Sequence, residues 1–292
     1  MSWNFKYVFS TVLFLIFAFS TSGNSQSGLP KYWEKCVVMI EKELQNTDGT
    51  IDTVPHGTGF IFFDSTLGTF LVTNRHILKG RDLVFTRYNK SNFDSKEDTV
   101  RYHRERYYLI GKDLKPLWIG HPDSTIDVAA LKISLPNVKI DVRILGYSRF
   151  KDFDSLEVGE DIYFFGFPLG VVGSKGKGDF PILRSGVVSY KSLELTYVGD
   201  ATVDSAEFLI DGFSFGGNSG SPVLTRVTSG RKSALVGIVK GHVPLNYRSI
   251  IEKAGPDTVS FEQNTGLAIA ICADRIRETL EQFRIRKLLE KK

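Results

Sequence analysis

The chain has 292 residues, of which 42% are hydrophobic and 24% charged, a balance that excludes an intrinsically disordered protein. The formal net charge of +4 is too small by itself to argue for a nucleic-acid partner, and none is expected. Length alone allows one large domain or two small ones.

In chain order, Lys6 precedes YVFSTVLFLIFAF, residues 7–19, which carry no charge, and the small-residue stretch STSGNSQSG follows. A basic start, an apolar centre and a small-residue region have the form of a secretory signal peptide, placed at 1–22. The apolar centre of 13 residues is shorter than the roughly 20 that a spanning helix needs. Cleavage near Gly23 is therefore expected to leave an exported chain, periplasmic or secreted, with no stable membrane span. Residues 23–34 read as a linker.

From residue 36 the pattern becomes short β-branched and aromatic runs punctuated by Gly and Asp. CVVMIEKEL, GTGFIFFD, TFLVTN, DLVFTRYN, DVAALKISL and VRILGY read as one series of strands. DIYFFGF, PILRSGVVSYKS, LELTYVG, EFLIDGF, SPVLTRV, SALVGIVKG and GLAIAIC read as a second. Two such series with few helical patterns between them predict an all-β barrel or sandwich protein. Pro136 and the polar stretch around 147–155 mark the boundary, giving units at 35–146 and 147–273. The polar, basic segment from Tyr88 to Lys115 reads as a solvated hairpin or loop. A helical period emerges only in residues 274–292, where Ile276, Leu280 and Phe283 fall on one face, suited to packing on the barrels.

The two cysteines, Cys36 and Cys272, lie outside any CxxC pair and permit either one disulfide or two buried thiols. No cluster with metal-ligand spacing is visible, and neither metal nor organic cofactor is expected.

Three residues at strand edges carry the chemistry. His76 closes the apolar run FLVTNRHIL, Asp127 opens DVAALKI, and Ser219 sits in GGNSGSPV. They occur in that order, 51 and 92 positions apart. A serine hydroxyl is a weak nucleophile until a base accepts its proton, and that base needs a carboxylate to fix its tautomer. Asp127, flanked by Ile126, Val128, Ala129 and Ala130, would be poorly solvated unless paired.

GTGFIFF before FLVTNRHIL, WIGHPDSTIDVAALKI, VGEDIYFFGFPLG with ILRSGVVS, GGNSGSPV and GLAIAI together resemble the trypsin-like (chymotrypsin-fold) serine proteases. The style is that of the bacterial HtrA-type branch, and the resemblance covers roughly residues 35–285. It implies two packed six-stranded antiparallel β-barrels with a C-terminal α-helix, and an active site in the cleft between them. It further implies His76 as general base, Asp127 as its orienting carboxylate, Ser219 as nucleophile, and the N–H groups of Gly217 and Ser219 as oxyanion hole. Glycine at 217 tolerates the backbone conformation that aims an N–H inward.

The resemblance also places a substrate pocket around Phe213, Val239, Gly241 and His242. An aspartate at the Phe213 position would signal preference for basic residues; its absence leaves an apolar or small residue expected before the cut. His242 is either a reader of an acidic or amide side chain at the pocket entrance or an exposed loop histidine. Lys240 stands where a small polar residue usually supports the triad. Asn218 replaces the aspartate that pairs with a newly formed N-terminus in the digestive members, so no zymogen switch of that type is expected. The chain has too few residues after its last strand for the PDZ domain of HtrA proteins, and a monomer acting on polypeptide substrates is expected. Two other readings stay open: a catalytically weak peptide-binding protein on the same scaffold, and an esterase using the same triad.

Overall fold

The computed structural model describes residues 33–92, 100–174, 178–191, 196–198, 201–203, 207–227, 232–251 and 257–289. The expected signal peptide and most of the linker lie outside the described residues.

The first half forms one antiparallel sheet. Its strands are β1 (Val37–Gln45), β2 (Ile51–Asp64), β3 (Gly68–Thr73), β4 (Leu83–Asn89), β5 (Tyr102–Tyr108), β6 (Trp118–Gly120) and β7 (Ala129–Lys132). They are ordered β5-β4-β1-β2-β3-β7-β6. In the second half, β8 (Asp161–Gly166) is followed by the short pair β9 (Gly173–Ser174) and β10 (Asp179–Phe180), and then by β11 (Ile182–Lys191). A second short pair, β12 (Thr196–Val198) and β13 (Ala201–Val203), precedes β14 (Glu207–Asp211), β15 (Pro222–Thr225), β16 (Leu235–Ile251) and β17 (Asp257–Cys272). Six of these close an antiparallel barrel in the order β11-β14-β17-β16-β15-β8.

The side-chain period of two explains how the halves share a core. In β2, Phe60 and Phe62 are fully buried in a cluster that also holds Phe164, Val223 and Ile238 of the barrel. Ile61, between them, joins Ile40, Leu71 and Val84 on the opposite face. The sheet is thus apolar on both faces, and one of them docks on the barrel.

The all-β class, the closed six-stranded barrel and the C-terminal helix are as expected, while the first unit has seven strands in its sheet rather than six. Two individual strands also differ from the sequence reading. VRILGY is no strand; only Leu145 makes an isolated bridge, to Phe62. Of LELTYVG, the described residues Thr196–Val198 form a strand of the short pair outside the barrel. The basic segment, expected as a solvated hairpin or loop, forms a hairpin: β5 pairs along its whole length with β4 and none of its side chains is fully buried. β5 reads YHRERYY and has no apolar alternation, because a buried carboxylate stands in for apolar packing. Glu41 is fully buried and accepts from Arg87 Nε at 2.8 Å and Arg104 Nε at 2.7 Å.

The C-terminal helix, Ala273–Leu289, buries Ile276 and Leu280 completely. Phe283 packs against Phe70 of β3 with ring centroids 4.8 Å apart. Its polar side is tied to the first sheet as well, Arg284 to Asp64 at 2.7 Å and Glu278 to His121 Nε2 at 2.7 Å. Among the described residues no helix is long and apolar enough to cross a membrane. Cys36 and Cys272 are both buried, free thiols, so the disulfide alternative falls.

Candidate active site

The sequence Asn74-Arg75-His76 ends β3 and starts a one-turn helix, Arg75–Leu78. Asp127 lies just before β7, the neighbour of β3, so the two chain ends emerge side by side. The Asn74 side-chain amide donates to the Asp127 carbonyl at 2.8 Å, and Arg75 N–H to the same oxygen at 3.3 Å. With its backbone pinned, the Asp127 carboxylate takes two hydrogen bonds from one residue. His76 N–H donates to Oδ1 at 2.9 Å, and His76 Nδ1 meets Oδ2 at 2.5 Å. Contact through Nδ1 orients the imidazole and leaves Nε2 as the nitrogen available to a second group. The His76 side chain is 47% exposed and Asp127 only 16%, so the imidazole faces the cleft over a shielded carboxylate.

Ser219 comes from the turn between β14 and β15, which is clamped to β2. Thr58 N–H donates to the Ser219 carbonyl at 2.9 Å, and Thr58 Oγ1 donates to the Gly217 carbonyl at 2.6 Å. Thr58 Oγ1 also accepts from Phe167 N–H at 3.1 Å, so one hydroxyl ties β2, the serine turn and the end of β8 together. Gly217 has φ +94°, and a Cβ there would lie 2.3 Å from the Phe167 carbonyl. Gly220 has φ +89°, and a Cβ there would lie 1.8 Å from the Thr58 carbonyl. Only glycine meets both demands at each position. The N–H groups of Gly217 and Ser219 have no acceptor among the described residues.

The Ser219 hydroxyl donates to the carbonyl of Lys240 at 3.0 Å and makes no hydrogen bond to His76. That carbonyl is available because β16 is bulged at Lys240: Val239 pairs with Ala270 and Gly241 with Ile269, leaving Lys240 unpaired between them. Lys240 extends its ammonium to Glu207 of β14, 2.6 Å away and fully buried. Lys240 thus anchors the segment facing the serine through an ion pair, at the position where the resemblance expects a small polar residue.

The expected pocket residues divide. Phe213 is 51% exposed and stacks on Phe215, with centroids 6.1 Å apart and planes at 10°. Open space lies beside Gly216 and Gly241, where an added Cβ would touch nothing within 4 Å. His242 is half-buried and pairs with Ala268. Val239 is fully buried in the barrel core, immediately before the bulge at Lys240. Sequence reasoning also missed Thr58, Glu207, and His56 with Arg81. For Thr58 the available signal was a threonine between two glycines, in GTGF.

A family profile described as a trypsin-like peptidase domain matches residues 57–238, more than half of the chain. The chain belongs to the trypsin-like peptidases. Among solved structures, this trypsin-like peptidase is similar to the MamO protease domain from Magnetospirillum magneticum in its apo form. The identity is 15% and the TM-score 0.48, over 84% of this chain and 95% of that one. No curated protein sequence matches it.

Proposed function

We propose that this trypsin-like peptidase is a serine endopeptidase working through an acyl-enzyme, with Ser219 as nucleophile, His76 as general base and Asp127 as its orienting carboxylate. The observation that carries the reading is the pair of hydrogen bonds that His76 donates to the Asp127 carboxylate, made beside a serine turn whose two inner N–H groups have no acceptor among the described residues. Asp127 holds the Nδ1–H tautomer, so Nε2 takes the Ser219 proton as Oγ attacks the peptide carbonyl. The oxyanion is received by the N–H groups of Gly217 and Ser219, each such donor contributing about 2.7–4 kcal/mol. His76 then returns its proton to the leaving amine, and water hydrolyses the acyl-serine. Attack requires Ser219 to rotate about Cα–Cβ, off the Lys240 carbonyl and toward His76, a change between staggered rotamers. The uncharged run at 7–19 supports action outside the cytoplasm on polypeptides.

The second reading is a catalytically weak peptide-binding protein, and the placement of the Ser219 hydroxyl on Lys240 favours it. Labelling with a fluorophosphonate serine probe, beside Ser219→Ala, separates the two. Rapid labelling that vanishes in Ser219→Ala, with cleavage of a peptide library, upholds the endopeptidase. Folded protein that fails to label promotes the binding reading, and turnover of esters without any peptide cleavage makes the chain an esterase.

A further inference from the structure

A group of positive charges, Arg81 and Lys42, surrounds His56 close to His76. β2 carries its own bulge: Ile40 pairs with Gly57 and Glu41 with Pro55, leaving His56 as the extra residue. Gly57 next to it sits against the helix and the serine turn, since a Cβ there would be 2.6 Å from Ile77 Cδ1 and 3.4 Å from the Ser219 carbonyl. The bulge therefore sets His56 at the flank of the site. Arg81 Nε donates to His56 Nε2 at 3.0 Å and to the Ile77 carbonyl at 3.2 Å. These contacts use Nε alone, and the two Nη groups of Arg81 have no acceptor among the described residues. Lys42, on the strand paired with β2, has no ion-pair partner among them either, and Asp82 makes no ion pair with Arg81. Burial pushes His56 down to about 4, helped by the positive charge of Arg81, then Lys42, then His76. His56 is thus a neutral acceptor that orients the guanidinium.

On the serine-peptidase reading, the resemblance puts the acyl part of a substrate toward β16, where the exposed Phe213 and the open space at Gly241 are found. The leaving amine must reach His76, so the residues after the scissile bond pass over β2 and the Arg75–Leu78 helix. We propose that Arg81, oriented by His56 and assisted by Lys42, determines specificity for an acidic side chain in the first two positions after the cut. The substrates of this site would then be polypeptides with Asp or Glu on the leaving-group side. The inference rests on the serine-peptidase reading for its direction, and a planar guanidinium whose two Nη groups have no acceptor among the described residues suits a carboxylate better than any neutral side chain.

The test uses matched peptides carrying Glu, Gln or Lys after the cut, with kcat/KM measured for the full chain and for Arg81→Glu, Arg81→Lys and Lys42→Gln. Wild type should prefer Glu over Lys by about tenfold, the scale of one charge-assisted contact at a half-exposed site. Arg81→Glu should invert the order, Arg81→Lys retain part of it, and Lys42→Gln reduce it by a smaller factor. The same peptides are titrated against Ser219→Ala by fluorescence anisotropy, which needs no chemistry. If wild type neither labels nor cleaves, the peptidase reading falls, while charge-dependent binding to Ser219→Ala that Arg81→Glu reverses still upholds the subsite. Equal kcat/KM and equal binding for the Glu and Lys peptides overturn it, as does a Glu preference that survives in Arg81→Glu.

Discussion

Replacing Lys240 by Met removes the ammonium that faces Glu207, whose side chain is fully buried. Breaking a buried pair from one side costs about 3–5 kcal/mol, because the remaining charge must be carried without its partner. The Lys240 side chain is 30% exposed, so its own desolvation is incomplete, and we set the expected loss at about 3 kcal/mol, the low end of that range. The double variant Glu207→Leu/Lys240→Met removes both charges and should recover to within about 1 kcal/mol of wild type. Urea unfolding of the wild type, the two single variants and the double gives four free energies, and hence the coupling. A coupling of about 2 kcal/mol or more is expected. Costs that simply add in the double variant would refute the argument that the pair anchors the barrel beside the serine. The fluorophosphonate labelling rate follows in the same samples, since the Lys240 carbonyl also holds the Ser219 hydroxyl. Variants that lose the pair but stay folded should change that rate, whereas a purely structural pair elsewhere in the barrel would not.

Gly217→Ala should abolish probe labelling while leaving a folded protein by circular dichroism, because φ +94° and a 2.3 Å approach to the Phe167 carbonyl cannot both accept a methyl group. Cys36 and Cys272 are pushed up by burial to about 12 and about 11, so a thiol-specific reagent at pH 8 should modify neither in native protein and both after denaturation. Burial of Asp64 is outweighed by hydrogen bonds from Thr66 and Leu67 and by the charge of Arg284, which hold its carboxyl below the usual carboxylate range. A depressed folded value means that its stabilisation is complete above the unfolded value of about 4 and is lost as pH falls through the lower folded value. Asp64→Asn should therefore flatten the fall of unfolding free energy below pH 4, and lower stability at pH 7, as read by urea unfolding across the pH range.

The residues whose signals are local were legible in the sequence. His76 and Asp127 stand where apolar alternation stops, and the glycines around Ser219 announce a turn that no other residue accepts. The closing helix was readable from the spacing of Ile276, Leu280 and Phe283. Other parts of the fold depend on partners far away in the chain, and alternation carries no record of them. β5 is a strand because Glu41, 63 positions before Arg104, is buried where both Arg87 and Arg104 can reach it. Read alone, YHRERYY is a solvated run.

The two bulges make the same point at the site itself. A bulge changes which side chains face inward without leaving any mark in composition, since it arises from the count of residues on two paired strands rather than on either one. At β16 it follows the buried Val239 and frees the Lys240 carbonyl for Ser219. At β2 it sets His56 beside Arg81, next to the segment that clamps the serine turn. One bulge therefore lies beside Ser219 and the other beside the segment that clamps its turn, and His76 and Asp127 are the part of the candidate site that single-strand patterns could reveal. Lengthening either strand by one residue opposite its bulge should restore regular pairing. At β16 that change would withdraw the Lys240 carbonyl from Ser219 while the Asp127–His76 hydrogen bonds, made wholly within the first sheet, persist.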